Sequence, residues 1–211
     1  MQLCEQYRPR SWTEVVGQPK AVATIDRLRK RGLGGRAFWI SGQSGTGKTT
    51  IARLIAAEVA EDWSTLEFID PSKLDADTLD SIESKVKCTV FGKGFCFVVN
   101  EAHGLTTSQI RRLLGLTETI PTWITWIFTT TCDGEDVFAD KADGPPLLSR
   151  CTRIELSRRN LCEIFAKKLQ EVARKEGLDG KPLEAYVRVM KDCGNNLRAG
   201  YQHVESGAML D

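Results

Sequence analysis

Gly42-Gln43-Ser44-Gly45-Thr46-Gly47-Lys48-Thr49 is the stretch on which the reading of this sequence turns. The octet has the spacing G-x-x-x-x-G-K-[ST], which a chain of 211 residues meets by accident on the order of 1% of the time. Its glycines let backbone N–H groups wrap phosphate oxygens, and the helix that follows adds the positive end of its dipole. Lys48 is the residue to reach the β- and γ-phosphates, and the Thr49 hydroxyl suits Mg²⁺. A lysine directed at a helix N-terminus is poorly placed without an anion, because both carry positive potential. The phosphate-binding set read from the stretch is Gly42, Ser44, Gly45, Thr46, Gly47, Lys48, Thr49 and Thr50.

The flanking sequence has the form that this mechanism needs. Ala37-Phe38-Trp39-Ile40 reads as a short buried strand, and from Thr49 to Ala60 the residues Ile51, Leu54, Ile55 and Val59 recur at helical spacing. Strand-length apolar runs follow at 66–69, 95–99 and 123–128, and 152–156 alternates. Helix-period segments fall at 76–88 and 107–116. Strands alternating with helices predict an α/β fold, a parallel sheet sandwiched by helices. After Leu156 the pattern turns wholly helical. Leu161, Ile164, Phe165, Leu169 and Val172 line a helix stopping at Gly177, and two more helices are expected at 183–190 and 197–210. The expected division is an α/β domain over 1–156 and a small all-helical domain over 157–211. The longest loop runs from Asp133 to Pro146, a length usually tied to function or mobility.

Composition narrows the class. Hydrophobic residues make up 41% and charged residues 27%, near globular averages, so a disordered, fibrous or membrane-spanning chain is excluded. Twenty-nine Lys and Arg against 28 Asp and Glu leave a net charge of +1, which excludes a strongly basic nucleic-acid coat but not a local basic face. The seven cysteines show no C-x-x-C pair, so no zinc ribbon or redox pair is written here, and most of them read as small buried hydrophobes. No signal peptide and no run of 18 apolar residues is written here, and a cytoplasmic protein is the expectation.

Phosphate-loop hydrolases also need a metal-holding carboxylate and a water-activating group on a neighbouring strand. The apolar run Phe95–Val99 leads into Asn100-Glu101-Ala102-His103. Glu101 is placed to act as general base, with Asn100 where an aspartate is expected. An amide oxygen still accepts from a metal-bound water but brings no charge, so Mg²⁺ should be held less well and hydrolysis should be slow. Asp70, ending the second strand, is the next acidic candidate. His103 alone reads as a packed or capping residue.

With these motifs in order, the chain resembles the AAA+ ATPases, and within them the DNA polymerase clamp-loader subunits of bacterial gamma/tau and replication factor C small-subunit type. Tyr7-Arg8-Pro9 and Val15-Val16-Gly17-Gln18 are similar to the family's N-terminal signature, and the resemblance lays Arg8, Pro9 and Val16 against the adenine base. Thr129-Thr130-Thr131 stands where the family has its first sensor, with Thr130 or Thr131 as the polar residue. Ser149-Arg150-Cys151 matches the triplet that gives an arginine finger to ATP on a neighbouring subunit. Asn196-Leu197-Arg198 opens the last helix as the second sensor does, making Arg198 the residue for the γ-phosphate. The finger also makes physical sense: a guanidinium is always charged and pairs with two phosphate oxygens at once.

The resemblance implies ATP and Mg²⁺ as cofactors. The partners it implies are other clamp-loader subunits, a sliding clamp and primer-template DNA, within the replication machinery of nucleoid or nucleus and with no membrane. Thr107, Ser108, Arg111 and Arg112 open a helix that lines duplex DNA in the family, and helix-start hydroxyls with arginines suit phosphate contacts. Several features depart from the family. Asn100 replaces the aspartate, and only Glu61-Asp62-Trp63-Ser64 stands where gamma/tau has a four-cysteine zinc insert. Arg111 and Arg112 replace small residues, and no helical collar follows before Asp211. The sequence therefore leaves open a chain cut short before the collar and an ATPase without that route to oligomers. It also leaves open another AAA+ ATPase of DNA recombination or restart, and a nucleotide-binding scaffold subunit that hydrolyses little.

Overall fold

A computed structural model of the chain describes residues 1–60, 66–87, 94–131 and 143–210. Among them the helices are α1 (Leu3–Gln6), α2 (Pro19–Arg29), α3 (Lys48–Val59), α4 (Ala76–Lys87), α5 (Thr107–Glu118), α6 (Gly144–Ser149), α7 (Cys162–Lys175), α8 (Leu183–Asp192) and α9 (Leu197–Glu205). The strands are β1 (Arg36–Ser41), β2 (Leu66–Ile69), β3 (Phe95–Val99), β4 (Ile124–Thr130) and β5 (Cys151–Glu155). The chain forms two compact units. One holds Ala23–Gly42 and Lys48–Glu155; the other holds Met1–Val22, the loop residues Gln43–Gly47, and the chain from Leu156 onward.

In the first unit the five strands pair in parallel in the order β2-β3-β4-β1-β5. Every residue of β4 is buried, as a central strand covered on both faces requires, whereas edge strand β5 leaves Arg153 and Glu155 exposed. One face presents Ala37, Trp39, Phe97, Val99, Trp126 and Phe128 to a core shared with Leu79, Ile82, Ile110, Leu113, Leu147 and Leu148 from α4, α5 and α6. Its aromatic rings pack at short range, Phe97 to Trp126 with centroids 4.9 Å apart. The other face carries Phe38, Ile40, Cys96, Val98 and Ile127, all buried, and α3 packs on β1, β3 and β4.

In the second unit α7, α8 and α9 enclose Phe165, Leu169, Val172, Tyr186, Met190, Tyr201 and Val204, joined by Leu3 of α1. Gly200 of α9 allows close approach, since a Cβ there would lie 2.6 Å from Leu169 Cδ1. The three helices end alike. Leu178 N–H donates to Ala173 C=O, Asn195 to Met190 and Ala208 to His203, each after a left-handed glycine (Gly177, Gly194, Gly207). Gly207 is why α9 stops at Glu205, short of the expected run to Leu210. Pro145 and Pro146 in the first turn of α6 likewise convert the end of the expected 133–146 loop into helix; residues 133–142 lie outside the described residues. Cys4, Cys96, Cys151, Cys162 and Cys193 are free thiols, and burial pushes Cys151 up to about 12. Cys88, Cys132 and the 61–64 connection lie outside the described residues.

Candidate active site

Parallel strands deliver their C-terminal ends to one edge of the sheet, where α/β folds bind ligands. In the strand unit that edge carries Asn100 and Glu101 after β3, Thr129 to Thr131 at the end of β4, and Ser41-Gly42 at the end of β1. Ser41 is in register with Thr130, and Gly42 N–H donates to Thr130 C=O at 3.3 Å. Gly42 has a φ of 149°, open only to glycine, as the chain leaves the strand. Lys48 opens α3 and is 8% exposed, with its ammonium donating to the Gly42 carbonyl at 2.7 Å. Thr49 and Thr50 complete the first turn of α3, where backbone N–H groups lack partners within the helix.

The ends of β3 and β4 form a polar network. Asn100 N–H donates to Ile69 C=O at 2.9 Å, and Thr129 Oγ1 donates to Asn100 Oδ1 at 3.2 Å. The amide oxygen keeps a second lone pair for a metal-bound water. Glu101 adopts a left-handed φ of 50°, which costs a non-glycine residue roughly 1 kcal/mol or more and recurs at active sites. Its Oε2 accepts from Thr131 Oγ1 at 3.3 Å and lies 3.4 Å from His103 Nδ1, which is 3.3 Å from Thr130 Oγ1. His103 is thus a polar partner of both residues rather than a packed or capping one. A cleft of about 400 Å³ beside Glu101 is lined by Asp70, Ser72, His103, Thr106 and Gln109. Asp70 accepts from the Ser72 N–H and hydroxyl, bonds that hold its carboxyl below the usual range and commit it to a local turn.

The helical unit holds the rest of the phosphate loop. Thr46 Oγ1 donates to Gln43 C=O at 2.8 Å, and Gly45 and Gly47 have φ of 79° and 100°. A Cβ on Gly45 would fall 1.9 Å from Asn196 Oδ1, so conformation and space both demand glycine. Among the described residues the N–H groups of Gly45 and Gly47 have no acceptor, which fits a loop built to take an anion. Two side chains hold the loop through its carbonyls. Gln18, 6% exposed, donates to Ser157 C=O at 2.8 Å and Thr46 C=O at 3.4 Å, while Arg158 donates to Ser44 C=O. Asn196 caps α9 by accepting from Ala199 N–H at 3.3 Å, leaving Arg198 exposed in the first turn.

The N-terminal signature belongs to this unit. Tyr7 donates its hydroxyl to Glu176 at 2.6 Å, a bond that raises the phenol's pKa, and Val16 packs against the helical core. Arg8 pairs with Glu5, and Pro9 is half-buried beside it. Glycine is required at 17, where a Cβ would meet Leu161 Cδ2 at 2.9 Å.

Arg150 lies elsewhere in the strand unit. It caps the C-terminus of α6 immediately before β5, whose first residue, Cys151, is in register with Ala37. Five residues of strand, about 16 Å, separate that level from Gly42, farther than an arginine side chain reaches. On α5, Thr106 caps the helix in a capping box with Gln109, so Thr107 and Ser108 begin the first turn. Arg111 pairs with Asp143 at 2.8 Å and stays exposed. Arg112 is engaged inside the molecule, 2.6 Å from both Asp80 and Glu83 of α4, which leaves Thr107, Ser108 and Arg111 as the exposed part of the expected DNA-facing set.

Sequence reasoning missed Gln18 as a loop anchor, it missed Arg158 and Asn195, and it took Asn196 only as the start of the last helix, not as a neighbour of Gly45. Gly194-Asn195-Asn196 carries a legible turn signal; nothing in the sequence separates Arg158 from Arg159.

No family model matches the chain. It is similar to DNA polymerase III subunit gamma/tau of Mycobacterium bovis, 31% identical over an alignment taking in 62% of the chain and 27% of that protein. Gamma/tau of Mycoplasma genitalium is 26% identical over 93% of the chain and 35% of the relative. Replication factor C small subunit of Thermoplasma volcanium is 28% identical over 93% of the chain and 63% of the relative. The chain thus spans about a third of the gamma/tau relatives it matches. Among solved structures, a RuvB Holliday junction branch migration motor of Thermotoga maritima superposes with a TM-score of 0.73 at 18% identity, covering 94% of the chain and 64% of that structure. At that identity the likeness bears on the fold. Sequence relatives and fold together bear out the resemblance to AAA+ ATPases of the clamp-loader family.

Proposed function

We propose that the chain binds ATP with Mg²⁺ and hydrolyses it as one subunit of a clamp-loading assembly, working on a sliding clamp and primer-template DNA. The observation that carries the reading is the sheet edge where the phosphate-loop start, the Thr129–Thr131 hydroxyls and Asn100-Glu101 lie on adjacent strands. Gly42, Ser44, Gly45, Thr46 and Gly47 cradle phosphates through their N–H groups. Lys48 neutralises the β- and γ-phosphates. Arg8, Pro9 and Val16 bound the base. Bound Mg²⁺ offsets phosphate charge; Thr49 would hold it directly, with Thr50 beside it and Asn100 bound through water. Glu101 takes the proton of the attacking water, Thr130 orients the γ-phosphate end, and Arg198 supplies charge there.

The position of Arg150 at the opposite edge from Gly42 supports a finger that serves a neighbour's ATP. The test mixes Arg150→Ala chains, whose phosphate loop is intact, with Lys48→Ala chains, whose finger is intact. Partial return of ATPase in the mixture, with neither variant active alone, is expected. No return, with full ATPase from a monomer proven by sedimentation, contradicts the trans role. Weak hydrolysis in every mixture alongside tight ATP binding would favour the scaffold reading, which the neutral Asn100 also supports.

A further inference from the structure

Arg158 stands behind the phosphate loop. Its guanidinium donates to Ser44 C=O and, at 3.4 Å, to Gly194 C=O. Its own carbonyl accepts from Asn195 Nδ2 at 2.9 Å. Gly194 and Asn195 are both left-handed, with φ of 57° and 59°, and form the turn that ends α8 and leads to Asn196, the cap of α9. One side chain therefore ties the backbone of the loop to the turn from which α9 and Arg198 start.

The consequence follows from peptide geometry. The C=O and N–H of one peptide unit point in opposite directions across a rigid plane. Fixing Ser44 C=O on Arg158 therefore aims the Gly45 N–H away from the guanidinium, and that N–H has no acceptor among the described residues. A cation on the carbonyl also polarises the amide and makes its N–H a stronger donor. We infer that Arg158 is a positioning residue: it sets and polarises the Ser44–Gly45 peptide for a nucleotide phosphate and joins the loop to the Gly194–Asn196 turn. Gln18 does the same for Thr46 without a charge. The inference rests on the ATP reading given above.

The test measures ADP and ATP affinity by calorimetry on the full chain for wild type, Lys48→Ala, Arg158→Lys and Arg158→Ala, with thermal unfolding recorded without nucleotide. Losing a hydrogen bond from a charged donor should weaken both nucleotides about tenfold in Arg158→Ala. Arg158→Lys, which keeps the charge but not the fork that spans two carbonyls, should lose about threefold. Millimolar methylguanidinium should restore affinity to Arg158→Ala and leave wild type unchanged, an effect that a loss of packing would not show. Unchanged affinity in either folded variant, or a loss that neither lysine nor methylguanidinium relieves, overturns the inference. If Arg158→Ala fails to fold, the lysine variant decides alone. Affinity that vanishes in Lys48→Ala but survives in the Arg158 variants overturns this inference while keeping the ATP reading. A wild type that binds neither nucleotide overturns both.

Discussion

The phosphate loop and the end of β3 both follow a buried apolar strand, yet they are built to different standards of completion. The loop is held in place. Its carbonyls at Ser44 and Thr46 are fixed by Arg158 and Gln18, Gly45 has no room for a side chain, and Lys48 already lies on Gly42. At the end of β3, by contrast, the Glu101 side chain is 51% exposed on a left-handed residue and is steadied by two contacts beyond 3.2 Å, while Asn100 brings no charge. The loop is thus fixed by its own partners, whereas Glu101 is only loosely held. Under the function proposed above, such a site holds nucleotide before it acts on it, and a neighbour's Arg150 is the proposed source of the missing charge.

The comparison breaks most visibly if the β3 end is disabled. Glu101→Gln removes the proposed general base and should cut turnover of the assembled protein by about a hundred- to ten-thousandfold while ATP affinity holds, measured by steady-state ATPase and calorimetry on one preparation. Disabling the loop should do the reverse. Lys48→Ala should weaken ATP by about a hundredfold and leave the unfolding temperature without nucleotide nearly unchanged, because it removes a charge from the phosphates and little packing. Gly45→Ala sharpens the point. Its Cβ would collide with Asn196 Oδ1 at a φ of 79°, so ATP affinity should drop at least tenfold and α9 should exchange its amide hydrogens faster. Normal affinity in Gly45→Ala would mean that the loop is not held as described.

Much of this was legible in the sequence because the signals are local. Apolar runs such as Phe95–Val99 coincide with the strand they predict, and the octet from Gly42 leaves β1 and runs into the first turn of α3 as its mechanism requires. Where a boundary moved, a glycine or proline explains it, as with Gly207 ending α9 and Pro145-Pro146 starting α6. The α2 helix escaped notice because Arg27, Arg29 and Lys30 blur its apolar spacing around Ile25. The loop anchors were illegible for a different reason. Gln18 and Arg158 act on carbonyls 28 and 114 residues away, and nothing in a side chain's own neighbourhood announces a partner at that separation. Arg112 shows the converse. It read as a nucleic-acid contact beside a helix start, and the acids that engage it, Asp80 and Glu83, lie about 30 residues upstream in a helix read from its apolar spacing.

The smallest expected effect tests the central claim most directly. Asn100→Asp puts a charge beside Glu101 where the neutral amide stands, at a position outside the phosphate loop. ATP affinity and single-turnover hydrolysis are to be measured on the same protein across a Mg²⁺ titration, with partner subunits and DNA present. Turnover about fivefold higher and a lower Mg²⁺ midpoint are expected in Asn100→Asp, with ATP affinity within about twofold of wild type. Turnover and Mg²⁺ midpoint both unchanged would contradict the claim, because residue 100 would then not face the metal.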